Sequence, residues 1–274
     1  MDAKAPASNV SGIAGDVLAA IDRHCSIAPF SSRAGGLSLE DAYRVTPLLR
    51  AAFEARGETI VGRKIGFTNR NIWAEYGVYA PIWGYVTDRT ARRLDSTTTL
   101  LARDFVEPRI EPEIMFGLAA APSPAMDDAA VASCIDWIAF GYEIVQSIFP
   151  GWTFAPSDTV AANALHGALL IGKRHAIAPR RAQWLTELTT FEVELSCNGK
   201  FMDRGSGGNV LDGPLSALRH LVTRLADDAH NPPLAAGEIV STGTLTRALP
   251  VRAGETWTAE VRGIPLEPIS LRVD

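Results

Sequence analysis

The stretch Pro108-Arg109-Ile110-Glu111-Pro112-Glu113-Ile114-Met115-Phe116 constrains this chain more than any other. Side chains alternate across a strand, so Ile110, Pro112, Ile114 and Phe116 form an apolar face while Glu111 and Glu113 stand side by side on the other. Pro112 cannot donate to a ladder, which predicts an edge strand or a bulge. Two adjacent carboxylates repel unless a cation or a shared proton relieves them. The plain alternative is a solvated strand face, since glutamate is rarely buried unpaired. A third acid weighs against that alternative. Glu143 lies in WIAFGYEIVQSIF, where an extended chain puts it on one face with Trp137, Ala139, Gly141 and Val145. An ionised carboxylate in such surroundings must be protonated, paired or bound to a metal. If Glu111, Glu113 and Glu143 converge, their oxygens suit a hard divalent ion such as Mg²⁺ or Mn²⁺. The three cysteines (Cys25, Cys134, Cys197) form no cluster with histidine, so zinc is not expected.

The rest of the chain reads as an α+β protein, with a helical N-terminal segment (1–60) before a strand-rich body (61–274). After the polar start MDAKAPAS, Val10, Ile13, Val17 and Ile21 recur at helical spacing. Ser38 with Asp41 resembles a capping box for a second helix ending near Gly57, and Pro47 predicts a kink or a restart within it. GETIVGRKIGF then reads as strand. Phe191, Val193, Leu195 and Cys197 alternate up to a hairpin at Asn198-Gly199. Asp212-Gly213-Pro214 opens a late helix with Leu218, Leu221, Val222 and Leu225 inward, and GSGGN (205–209) reads as a flexible loop.

Composition removes several function classes. A net charge of −5 with no basic run argues against a nucleic-acid partner. The apolar run Trp137 to Val145 is interrupted by Glu143 and is too short to span a membrane. The start lacks the apolar core of a secretory signal, and the odd, sparse cysteines fit a reducing compartment. A cytoplasmic protein is the expectation. His24, His166, His175, His220 and His230 are scattered and match no nucleophile motif, which leaves a Ser/His hydrolase with little support.

Other residues carry two readings each. Lys64, between apolar strand residues in GRKIGF, either loses its proton readily and serves acid–base chemistry or snorkels to the surface. Asp158 caps a helix through VAANALHG, or orients Lys64 or a water. Ser241-Thr242-Gly243-Thr244 is a tight turn, or a set of amides and hydroxyls that holds a carboxylate.

With these residues in hand, the chain resembles the 2-hydroxypenta-2,4-dienoate hydratase / 4-oxalocrotonate decarboxylase group of the fumarylacetoacetate hydrolase superfamily. GRKIGFT (62–68), PRIEPEIMF (108–116), EIVQS (143–147), SDTVAANA (157–164) and VLDGPLSALRHL (210–221) carry the resemblance, in the family's order. It implies a mixed β-roll body, Mg²⁺ held by Glu111, Glu113 and Glu143, and an active-site Lys64. It also implies a homo-oligomer that can associate with a pathway partner enzyme. Two departures stand out. Ile82 replaces an acid that family hydratases usually carry, with Asp88 close by, and no lysine follows Glu143 before Lys173, as the hydrolase branch would require.

The expected activity is a metal-dependent lyase in aromatic ring-cleavage catabolism, hydrating a 2-hydroxy-dienoate of the 2-oxopent-4-enoate type, with Lys64 and Asp158 moving the proton. Thr242, Gly243 and Thr244 would bind substrate. Trp83, Phe149 and Trp152 offer an apolar pocket wall or ordinary core packing. No cation is assignable to a second carboxylate, which favours the hydratase. The alternatives are decarboxylation of 2-oxo-3-hexenedioate, hydrolysis of an acylpyruvate-type β-diketone, and a non-catalytic subunit supporting a partner enzyme.

Overall fold

The computed structural model describes residues 9–274; the polar start MDAKAPAS lies outside the described residues. Helix α1 (Val10–Asp22) opens on Asn9, whose side chain accepts the Gly12 N–H at 3.0 Å. Ser38 caps α2 (Leu39–Ala55) by accepting the Asp41 N–H at 3.0 Å. That helix runs through Pro47 without restarting. Its apolar face (Ala42, Val45, Leu49) is packed into one buried cluster with α1, Phe30, Ile148 and Phe149, and this burial outweighs the hydrogen bond that proline deletes.

The strands follow in the order β1 (Ile60–Gly66), β2 (Ile82–Thr87), β3 (Ala91–Arg93), β4 (Thr99–Leu100), β5 (Arg109–Leu118), β6 (Ile135–Val145) and β7 (His166–Ala176). Then come β8 (Glu192–Cys197), β9 (Lys200–Ser206), β10 (Ile239–Thr244), β11 (Leu249–Pro250), β12 (Thr256–Arg262) and β13 (Ile269–Val273). A large mixed sheet has the order β2-β1-β10-β5-β6-β7-β3, with β11 added beside β5; a smaller sheet has the order β4-β13-β12-β8-β9. Short helices α3 (Trp73–Tyr76), α4 (Asp128–Ser133) and α5 (Pro156–Ala161) sit in the connections, followed by α6 (Arg181–Thr190) and α7 (Pro214–Ala226). Residues inward on α7, Leu218, Leu221 and Leu225 among them, share the main core with Ile110, Ile114 and Phe116 of β5 and with Trp257 and Leu271 of the smaller sheet.

Two expectations change here. β5 is central, flanked by β6 on one side and by β10 and β11 on the other. The Pro112 carbonyl accepts the Leu245 N–H at 3.0 Å, so the missing donor faces the gap between β10 and β11, and the irregularity falls on the neighbour. GSGGN is packed rather than loose. Gly205 lies within β9, and a Cβ there would lie 1.8 Å from the Leu245 carbonyl oxygen. The hairpin at Asn198-Gly199 has φ of 51° and 74°, as a type I′ turn requires.

Candidate metal centre

Register brings the three acids together. Glu111 lies directly opposite Glu143 across the β5–β6 ladder, and Glu113 is two residues further along the same face. A carboxylate oxygen from each lies within 4.8 Å of the other two, which is within reach of one oxygen-coordinated ion. Glu113 and Glu143 are fully buried, and Glu111, at 9% exposure, is the outermost.

Each inner acid is held from behind. β10 carries one extra residue against β5 between Ser241 and Thr244, and this bulge turns the Ser241 hydroxyl and the Gly243 N–H onto Glu113 Oε2, the latter at 2.9 Å. Gly243 has φ of 101°, and a Cβ would meet Thr68 Oγ1 at 1.8 Å, so the bulge needs glycine. His166 Nδ1 lies 2.8 Å from Glu143 Oε1. The remaining oxygens, Glu113 Oε1 and Glu143 Oε2, are buried without a hydrogen-bond partner. Lys64 Nζ lies 3.2 Å from Glu143 Oε2, in ion-pair contact but misaligned for a hydrogen bond.

Orphaned carboxylate oxygens are what a divalent cation would satisfy, and the formal charge agrees: three carboxylates and one ammonium give −3 + 1 = −2. Without a cation the charge is relieved by protons. Burial, reinforced by the Glu143 charge against the opposing pull of Lys64, pushes Glu111 up to about 7. Burial, then Glu143 and Glu111, pushes Glu113 well above the carboxylate range. Burial alone would lower the Lys64 pKa, yet Glu143, Glu111 and Glu113 together outweigh it and hold the ammonium above its usual value. The expectation of an easily deprotonated lysine is thereby reversed, and Lys64 is 2% exposed, so it does not snorkel.

Lys64 Nζ also donates to the Ala164 carbonyl at 2.9 Å. That carbonyl sits in three consecutive left-handed residues, Asn163, Ala164 and Leu165 (φ 53°, 52° and 61°), a run that costs roughly 1–2 kcal/mol per residue. The Asn163 side chain holds it in place, accepting the Tyr85 N–H at 2.7 Å and donating to the Tyr85 carbonyl at 2.9 Å.

A cavity of about 240 Å³ opens onto Lys64 and Glu111. Ile65, Phe67, Ile82, Val145 and Leu165 contribute apolar walls, and Thr244, Trp152, Arg109 and Arg247 also line it. The Arg109 guanidinium lies 4.0 Å from the Trp152 ring centroid. Arg247 Nε lies 3.0 Å from Asp203 Oδ2, and its largely exposed side chain marks the outer end.

Several sequence-predicted residues are placed elsewhere. Asp158 caps α5 from its third position rather than as the N-cap residue, its carboxylate accepting from the Ala155 N–H at 2.8 Å, the Ser31 N–H at 2.9 Å and the Ser31 hydroxyl at 2.6 Å. It fastens α5 to the N-terminal segment and does not reach Lys64. α5 stops at Ala161, because the left-handed run follows. Thr242 donates to the Ile114 carbonyl, and the carboxylate held by the Ser241–Thr244 turn is the chain's own Glu113. Trp83 packs on Tyr85 and Phe149 on Phe30, both in the core and off the cavity. Asp88 accepts the Thr59 N–H at 3.0 Å and lines a separate groove with Arg92 and Arg93, so it does not stand in for the acid absent at Ile82. Sequence reasoning missed His166, Arg109, Arg247 and the Asn163–Ala164 support. The β6–β7 register, which pairs His166 with Val145, is the signal that would have found the histidine.

No family model matches the chain. The chain is 30% identical over 240 residues to 2-hydroxyhexa-2,4-dienoate hydratase of Comamonas testosteroni, covering 87% of this chain and 88% of the relative. Its fold superposes on 4-oxalocrotonate decarboxylase from Pseudomonas putida G7, solved with magnesium and adipate, at a TM-score of 0.88 and 27% identity over the full length of both chains. Fumarylpyruvate hydrolase from Pseudomonas aeruginosa, solved with Mn²⁺ and pyruvate, shares the fold at a TM-score of 0.54 and 15% identity over 78% of this chain and 88% of that one. The chain thus belongs to the 2-hydroxypentadienoate hydratase and 4-oxalocrotonate decarboxylase group, and it shares the fold of fumarylacetoacetate hydrolase family proteins.

Proposed function

We propose that the chain is a metal-dependent hydratase of a short 2-hydroxy-dienoate in aromatic ring-cleavage catabolism. One observation carries the reading: three clustered carboxylates, two of them with an oxygen that lacks a hydrogen-bond partner, lie with a buried ammonium beside a small cavity that Lys64 and Glu111 line. Glu111, Glu113 and Glu143 would hold the cation, with Mg²⁺ or Mn²⁺ fitting the all-oxygen set. Such a cation supplies Lewis-acid polarisation of a 2-oxo acid's carboxylate and keto oxygens. Lys64, an ammonium in the resting site, would give a proton to C5 and take in its place the one that leaves the C2 hydroxyl, and water would then add across C3 and C4 with its hydroxyl at C4. The Ala164 carbonyl keeps that amine on the cavity axis. Ile82, Leu165 and Val145 exclude bulk water around the reacting carbons. Asp158 has no part in this scheme.

A second reading, decarboxylation of 2-oxo-3-hexenedioate, draws on Arg109 and Arg247. These are two cations along the cavity where a distal carboxylate would lie, and the sequence alone offered none. A Mg²⁺-supplemented assay comparing 2-hydroxypenta-2,4-dienoate with 2-oxo-3-hexenedioate tests both. Water uptake by the first supports the hydratase, and CO₂ release from the second replaces it with the decarboxylase. Silence on both leaves the supporting-subunit alternative, against which the buried Lys64 argues. A homo-oligomer, a pathway partner enzyme and a cytoplasmic setting belong to the same proposal. Free Cys25, Cys134 and Cys197 support a reducing compartment, and no helix among the described residues is long and apolar enough to cross a membrane.

A further inference from the structure

His166 begins β7, directly after the left-handed run, and its side chain is 2% exposed. Both ring nitrogens are engaged: Nδ1 lies 2.8 Å from Glu143 Oε1 and Nε2 lies 2.9 Å from Thr90 Oγ1. We propose that His166 is a positioning residue for Glu143, pinning one carboxylate oxygen so that the other is presented to the cation. The inference rests on the reading of the three glutamates as a divalent-cation site.

The two inner acids explain why a side chain is needed. Glu113 draws its rear support from the β10 bulge, where a backbone N–H and a hydroxyl are free to turn toward it. Glu143 sits within β6, between β5 and β7, and the backbone donors there are committed to the two ladders. A glutamate side chain has three rotatable bonds, and without an anchor it could swing both oxygens toward Lys64. An ionised carboxylate only accepts, which assigns the hydrogen to Nδ1. Thr90 at the far end of the ring stops it from rotating about its own bond. Partners of this kind behind a liganding carboxylate are typically worth about 10–100-fold in metal affinity.

Calorimetric titration of Mg²⁺ into the full chain tests this. Wild type binds, His166→Phe binds about 10–100-fold more weakly, and His166→Asn, whose amide nitrogen falls where Nδ1 falls, recovers to within a few-fold. In a Glu143→Gln background, His166→Phe adds no further loss, because the group it positions is already altered. Should His166→Phe fail to fold by circular dichroism, His166→Gln replaces it. The Gln amide falls nearer Nε2 and loses affinity where Asn keeps it. Wild-type affinity in His166→Phe, or equal affinities in the Asn and Gln variants, overturns the positioning role alone. A wild-type chain that does not bind Mg²⁺ overturns the cation site itself, and this role with it.

Discussion

Arg63 and Lys64 are neighbours on β1 that face opposite ways, and both are almost completely buried. Arg63 meets one carboxylate, Glu238 at 3.2 Å, and its guanidinium lies 4.1 Å from the Tyr85 ring centroid. One cation and one anion cancel, and that face is closed by aromatic packing. Lys64 pairs with Glu143 and feels the charge of Glu111 and Glu113 as well, and two of these three acids have an oxygen without a hydrogen-bond partner. Burial is the same on the two faces, and charge balance is what differs. A balanced buried pair contributes architecture, whereas an unbalanced one is built for something that arrives later.

The comparison breaks most sharply at Lys64. Lys64→Ala is expected to lower turnover of a 2-hydroxy-dienoate by about 10²–10⁴-fold, while Mg²⁺ affinity by titration does not fall; unchanged turnover would remove the lysine from the chemistry. Chelation comes next. Glu111 has a folded pKa of about 7 against an ordinary 4.5, and Glu113 moves the same way. Stability from Glu111 is fully present below pH 4.5 and is lost as pH rises through about 7, a loss of about 3 kcal/mol, and Glu113 acts in the same direction. The chelated protein should therefore melt at a lower temperature at pH 8 than at pH 5, and Mg²⁺ should restore it at pH 8. A flat melting profile would mean that the acids are not confined together.

Arg63→Met sharpens the other side. It should cost about 2 kcal/mol in denaturant unfolding, less than a fully buried pair because Glu238 keeps 17% of its side chain exposed. Mg²⁺ affinity and turnover should stay within twofold, and Arg63→Met with Glu238→Gln should regain most of the stability. The smallest effect is expected at Asp158. Asp158→Asn weakens its bonds to Ser31 and Ala155 and costs about 1 kcal/mol; a tenfold fall in kcat would return it to the catalytic apparatus.

The acidic cluster was legible because strand alternation needs only local spacing, which put Glu111 and Glu113 on one face. α1, α7 and the Asn198-Gly199 hairpin were legible for the same reason, since caps and turns are local. What sequence could not give was register. Asp158 looked like the N-cap residue because Ser157-Asp158-Thr159 precedes a small-residue run, but the chain turns left-handed at Asn163 and ends that run. Trp83, Phe149 and Trp152 are alike in sequence, and only packing against Tyr85 and Phe30 separates the first two from the cavity-lining third. His166 and Arg247 reach the site from strands and turns far along the chain, and nothing in their flanking residues marks them.

The anchor for Lys64 is a main-chain oxygen, which has a consequence for how mutational data on this protein would look. Replacing the Ala164 side chain cannot delete the contact, unless a β-branched residue refuses φ near 52°. Replacing Asn163, which never touches the lysine, releases the backbone that offers the oxygen. Exchange of Ala164 for another small residue should therefore be tolerated while exchange of Asn163 is not, the reverse of what proximity suggests.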